Sequence, residues 1–238
     1  MKKTQRSLAP IKSPISMEQF AYQAIKEAIL TFHFLPGENL VESVLAAQLN
    51  ISKTPVRDAL TQLVRDGFIE KLPFKGYYVT RVSCQDMVDI FEVRSMLEGL
   101  AARCAVARML PEQIAEAVAL VDAHTRAAAE GNNDLASQTN RDFHQLLIQC
   151  GGSDRVIDFL NHLDEHLQRY RILSNISNGR LAKSAEEHEE IMAAIQRGDA
   201  DGAEEAARRH LLSVSEDLAR QDFDTLIQQI SAREDEKR

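Results

Sequence analysis

"ISKTPVRDALTQLVRDGF", residues 51–68, carries the signals that decide the fold of the first third of the chain. Ser52 stands where a helix begins, because a serine hydroxyl can accept a bond from one of the unpaired N–H groups of a first turn. Pro55 falls within that turn, where its missing N–H does no harm, and Gly67 ends the helix. Leu60, Leu63 and Val64 make the buried stripe. Ser52, Lys53, Thr54 and Arg57 gather at the opposite, N-terminal end, as on a helix that offers side chains to base edges and phosphates.

Upstream, Phe20, Ala24, Ile25, Ala28, Ile29 and Phe32 recur at helical spacing, and "LPGEN" (35–39) supplies a Pro-Gly turn. "VESVLAAQL" (41–49) predicts a second short helix, closed by Asn50, which tolerates the left-handed conformation. Downstream, "FIEKL" (68–72) and "YYVT" (77–80) are β-rich runs separated by "PFKG" (73–76), which predicts a two-stranded wing. Residues 16–80 therefore read as a winged helix-turn-helix, after a basic arm over 1–15. A small helical subdomain with no DNA role has the same periodicity, so periodicity alone leaves both readings open.

Charge is unevenly placed. Residues 1–80 hold ten Lys+Arg against seven Asp+Glu, whereas residues 81–238 hold 18 against 29, so a basic module precedes an acidic one within a net charge of −8. Basic charge is what a phosphate backbone attracts. The 44% apolar and 27% charged content, with only 10 Gly and 6 Pro, excludes fibrous and disordered classes and suits a helix-rich globular chain. No apolar run approaches the ~18 residues of a membrane helix. The start "MKKTQRSLAPIKSPIS" has no apolar signal core, so a cytoplasmic location with no membrane partner is expected. Cys84, Cys104 and Cys150 are too few and scattered for a disulfide framework and are expected to be reduced, mostly buried thiols.

After a linker at 81–84, apolar residues recur at helical spacing over 85–107, 111–130, 133–150, 154–175, 179–197 and 200–221. "MLPEQ", "EGNND", "CGGSD" and "RGDAD" punctuate these runs. The expectation is a mainly α protein whose second domain, residues 85–225, is an all-α bundle of about six helices, followed by a solvated charged tail at 226–238.

Three of these helices each place one histidine in an apolar seam. Asn140, His144 and Leu147 share a face, as do Leu181, Ala185, His188, Met192 and Ile195, and Ala203, Ala207, His210, Val214 and Leu218. Neutral imidazoles suit zinc or another late divalent ion, and the oxygen of Asn140 offers a further contact. Three separate hydrogen-bonded core histidines fit the pattern too. His162 and His166 lie beside a stripe rather than on it and read as surface or boundary residues, while His124 and His33 show no partner pattern.

Residues 17–80 resemble the winged helix-turn-helix of the GntR family of bacterial regulators, since turn, cap, helix and Gly-tipped wing occur in register. The resemblance implies DNA contacts by Thr54 and Arg57, a phosphate contact by Ser52, and a wing tip at Lys75 and Gly76 entering the minor groove. Lys53 departs from the usual Arg and cannot form the same fork to a guanine edge, which makes Arg57 the better guanine reader. Ser43 stands where some relatives carry another DNA-contacting Arg and takes no such role.

"FEVRSMLEGLAARCA" (91–105), "NRDFHQLL" (140–147) and "EEHEEIMAAIQRGDADGAEEAARRHL" (186–211) resemble the FCD effector domain of the FadR subfamily. That resemblance implies a divalent metal, zinc or nickel, on His144, His188 and His210. Asn140 stands where Asp is usual, which removes one negative charge from the ligand set. It also implies a small organic or sugar acid as effector, for which Arg94 and Arg171 are the candidate carboxylate partners. A homodimer on a pseudopalindromic double-stranded DNA operator follows from two-fold matching. A metal-free pocket for an acyl thioester is the alternative that Asn140 favours. A helical metalloenzyme is a third reading; the sequence places no carboxylate pair beside the histidines for acid–base work, so no enzyme activity is expected.

Overall fold

The computed structural model describes residues 16–174 and 180–235. The expected arm, residues 1–15, and the last residues of the expected tail lie outside them. The chain divides into two compact units, Met1–Arg81 and Val82–Arg238. Among the described residues no helix is long and apolar enough to cross a membrane.

In the first unit α1 (Met17–Leu30), α2 (Glu42–Leu49) and α3 (Lys53–Arg65) surround a core containing Ile25, Ile29, Leu60, Leu63 and Phe68. Ser16 and Gln19 form a reciprocal capping box at the start of α1. The buried face of α1 is rotated from the expected one. Phe20 is 49% exposed, and Ala21 and Tyr22 take the core positions. The periodicity misled because Tyr22 counts as polar, yet it buries its ring while its hydroxyl donates to Asp66 at 2.7 Å. Asn50 closes α2 at φ 53°, left-handed as expected, and Gly67 follows the end of α3 at φ 78°.

Ser52 occupies the N-cap position of α3, but its side chain makes no capping bond. The residue three positions on is Pro55, which has no N–H to give. The wing is three-stranded rather than two-stranded. β2 (Ile69–Leu72) pairs antiparallel with β3 (Gly76–Val79), and β1 (Asn39–Leu40) adds to the other side of β3, giving the order β1-β3-β2. Two residues are too few to show alternation; the register Asn39↔Tyr78 and Leu40↔Tyr77 comes from pairing.

The second unit is all helical: α4 (Cys84–Arg108), α5 (Pro111–Ala129), α6 (Asn133–Gly151), α7 (Asp154–Ser174), α8 (Arg180–Gln196), α9 (Ala200–Ala219) and α10 (Phe223–Asp235). Its core includes Ala102, Phe143, Leu147, Ile191, Met192 and Ala207. Helix α10 replaces most of the expected tail. Asp222 accepts from the Thr225 N–H at 3.2 Å to start it, and Phe223 sets its ring 5.7 Å from that of Tyr170. Two anchoring side chains, Phe223 and Leu226, thus outweigh the charged run that follows. Helices α4 and α6 cross at backbone contact: a Cβ on Gly151 would lie 1.8 Å from the Ala101 carbonyl oxygen. The thiols are less sheltered than expected, with Cys84 exposed and Cys104 and Cys150 half-buried. Cys84 is the first residue of α4.

Candidate metal centre and nucleic-acid interface

His144, His188 and His210, from α6, α8 and α9, converge in the second unit. Their Nε2 atoms stand 3.2 Å (144 to 210), 3.2 Å (188 to 144) and 3.3 Å (188 to 210) apart. A tetrahedral ion with Zn–N distances of about 2.0–2.1 Å separates its nitrogens by about 3.3–3.4 Å, so the donor set has the spacing such an ion requires. All three rings are buried. Burial pushes His188 well below the ordinary histidine range, with the neighbouring imidazoles acting in the same direction. Burial likewise takes His210 down to about 4. These two are neutral at pH 7, as ligation demands.

Two glutamates stand behind two of these rings. His144 Nδ1 donates to Glu98 Oε2 at 2.7 Å, and His210 Nδ1 donates to Glu187 Oε2 at 2.7 Å. With the proton held at Nδ1, the Nε2 lone pairs face inward. Burial alone would raise Glu98, but the charges and bonds of Arg94 and His144 hold it at about 2. Glu187 is likewise at about 2, its burial outweighed by bonds from His210, Arg180 and Ser213. Among the described residues His188 has no such partner, and its buried Nδ1 makes no hydrogen bond. The glutamates were missed in sequence, although Glu98 falls four residues after Arg94 and four before Ala102, on the buried face of α4.

Asn140 is half-buried and lines a cavity of about 100 Å³ together with His144, His210, Arg94, Arg171 and Arg180. An adjoining cavity of about 230 Å³ shares Arg94, Asn140, His144 and Arg171. Both candidate effector arginines are thus placed at the histidine cluster, but each already has a carboxylate. Arg94 donates to Glu98 and, at 2.6 Å, to Asp164, and Arg171 donates to both oxygens of Asp164. Burial would raise Asp164, but these guanidiniums bring it well below its ordinary value.

His162 is exposed and His166 half-buried, apart from the cluster as expected. His124, for which the sequence showed no partner, is fully buried, its Nδ1 2.9 Å from the Ala136 carbonyl and its Nε2 3.1 Å from that of Leu181. The spacing Ala117, Val121, His124 on the buried face of α5 was the available signal.

In the first unit Ser52, Lys53, Thr54 and Arg57 are exposed at the N-terminal end of α3. Arg57 reaches back to α2, donating from Nε and Nη2 to Glu42. Lys75 is exposed at the β2–β3 turn, and Gly76 adopts φ 102°, a conformation that favours glycine. Asn39 Nδ2 donates to the Lys75 and Tyr77 carbonyls at 3.4 Å and ties β1 to that turn.

These two architectures agree with two family models: "Bacterial regulatory proteins, gntR family" matches residues 17–79 and "FCD domain" matches residues 89–213. The chain belongs to the GntR family and carries an FCD domain. An HTH-type transcriptional regulator from an unstable DNA locus of Streptomyces ambofaciens is 30% identical to this GntR-family chain over 203 residues, 84% of either chain. The repressor GlaR of Escherichia coli (strain K12) is 29% identical over 81% of this chain and 91% of its own. Escherichia coli McbR/YncC shares the fold with a TM-score of 0.62 at 23% identity, covering 91% of this chain and 99% of that one. GlaR, and RspR of the same organism, which is 27% identical over 85% of this chain and 89% of its own, are named HTH-type transcriptional repressors.

Proposed function

We propose that this GntR-family protein is a ligand-responsive regulator of the FadR subfamily that binds a pseudopalindromic operator as a homodimer and is modulated by a small carboxylate-bearing metabolite. The observation that carries the effector half of this reading is the convergence of three Nε2 atoms within 3.3 Å, two of them on rings, His144 and His210, that line a cavity together with arginines. His144, His188 and His210 would hold zinc or nickel, with the Asn140 amide oxygen as a further donor. When bound, such an ion supplies positive charge that attracts a carboxylate. Glu98 and Glu187 hold the ring protons away from the centre, and Arg94 and Arg171 orient an acid in the adjoining cavity. Effector binding alters operator affinity to the extent that the acid prefers one arrangement of the protein over another.

Ser52, Lys53, Thr54 and Arg57 face one half-site, and Lys75 and Gly76 meet the adjacent groove. The dimer is supported by α4, where Val93, Met96 and Leu100 form a helical stripe 48%, 53% and 44% exposed. The adjoining cavities of about 100 and 230 Å³ lie at the small end of the roughly 300–1,000 Å³ range of ligand pockets, which favours a small acid over an acyl thioester. Glu98 and Glu187 stand directly beside the histidines, but they are engaged with Nδ1, on the side of each ring away from the Nε2 cluster; a metalloenzyme gains no support from them.

The test is metal analysis of the purified full-length protein, with chelator titration followed by thermal melting. One divalent ion per chain is expected, lost in His188→Ala, with a lower melting temperature on chelation. A metal-free protein whose melting ignores both chelator and added zinc or nickel would remove the metal from this reading.

A further inference from the structure

Arg57 is exposed near the start of α3, and it is not a free cation. Its Nε donates to Glu42 Oε1 at 3.1 Å and Oε2 at 3.2 Å, and its Nη2 donates to Glu42 Oε2 at 2.8 Å. A guanidinium has two usable edges. Glu42 takes the side edge, Nε with Nη2, and leaves Nη1 and the second hydrogen of Nη2 pointing along the side chain. That remaining edge carries two parallel donors and can form the paired bond to O6 and N7 of guanine. Exposure separates the two partners: the Arg57 side chain is 59% exposed and that of Glu42 26%. The carboxylate lies behind and the guanidinium in front.

Glu42 is also fixed in place. It is the first residue of α2, where a negative charge meets the positive end of the helix. The bond from Arg57 holds its carboxyl below the ordinary range despite partial burial, and the charges of Lys71 and Lys53 act the same way. A long arginine side chain tethered at its side edge loses less freedom on meeting a base than one that is loose.

We infer that Glu42 is a positioning residue for DNA readout, holding Arg57 side-on so that its end edge meets a guanine in the major groove. This rests on the reading of α3 as the recognition helix with Arg57 as its guanine contact. The opposite role is equally concrete: a carboxylate beside the phosphate backbone repels it, and Glu42 would then compete with DNA for Arg57. The two roles differ in sign, because removing a competitor tightens binding and removing a brace weakens it.

The experiment uses full-length protein and duplexes selected from a random pool by the native protein, together with copies in which each guanine is replaced by adenine. Glu42→Gln and Glu42→Ala are expected to weaken binding to the selected duplex about tenfold and to lower discrimination at one guanine position, within the ~1–3 kcal/mol worth of a paired base contact. Arg57→Ala is expected to abolish discrimination at that same position, and the double variant to be no worse than Arg57→Ala alone. Tighter binding by both Glu42 variants, with discrimination unchanged, would overturn the positioning role. If Arg57→Ala itself kept full discrimination, the recognition-helix reading would be the one to fall. Glu42→Gln keeps an acceptor oxygen and the side-chain shape, so it reports even where Glu42→Ala loosens α2.

Discussion

At the scale of single residues, the histidine cluster is defined by where its protons sit. His210 titrates at about 4, against 6.5 for an ordinary histidine, because burial penalises its cation. Its folded value is depressed and it is a base, so the unfolded chain takes up the proton first as pH falls. Stability is therefore intact above pH 6.5 and lost between about 6.5 and 4, up to about 3 kcal/mol for a shift of this size. Glu98 and Glu187 act lower, losing their contributions as pH falls from 4.5 toward about 2. Melting of chelated protein across pH 7 to 4 should show the first loss, to which the buried His188 and His124, also depressed, contribute, and His210→Gln should lessen its slope; equal slopes in both proteins would remove His210 as a cause. Asn140 offers a second residue-scale test. Asn140→Asp adds a charge beside His144 and should tighten zinc binding about tenfold or more by competition titration. Unchanged affinity would place Asn140 outside the ligand set.

At the scale of elements, helices were legible because each repeats a signal several times. Expected ranges such as 111–130 and 154–175 meet α5 (Pro111–Ala129) and α7 (Asp154–Ser174) within a residue or so. The three histidines were legible for the same reason, each standing in a seam. What was hidden depends on partners distant in sequence. The strand Asn39–Leu40 exists through β3, helix α10 through Tyr170, and the glutamates matter through rings 46 (Glu98 to His144) and 23 (Glu187 to His210) residues away. Gly151 joins the two classes, since its lack of a side chain lets α6 meet α4 at Ala101 and Ala105, on the helices that carry His144 and Glu98. Its carbonyl also accepts from Arg108 Nη1 at 2.7 Å, so the helix end is pinned. Gly151→Ala must push α6 off the Ala101 carbonyl, a backbone shift costing about 2 kcal/mol or more. A melting temperature lower by about 4–8 °C and weaker zinc binding should follow. A variant with unchanged melting and metal affinity would show that α6 ends by fraying rather than by contact.

At the scale of the whole molecule, the proposed dimer turns two weak contacts into one strong one. A single recognition helix reads a half-site; a second helix on the same molecule binds at an effective concentration set by the protein rather than by the solution, which can raise affinity about 10²–10⁴-fold. The stripe Val93, Met96 and Leu100 on α4 is where such a dimer can bury apolar surface. Met96 is the most exposed of the three at 53%, so Met96→Glu should leave the monomer's own core intact. Placing two carboxylates across a two-fold interface, by contrast, opposes like charges. The expected outcome is a monomer by sedimentation, with native helical content and zinc binding, and operator affinity reduced by about two orders of magnitude. Half-site affinity should not change, because the first unit is untouched. A variant that stays dimeric would move the interface away from this face of α4. A monomer that still held the full operator as tightly as the native protein would show that one recognition helix suffices, and the two-fold operator would lose its physical basis.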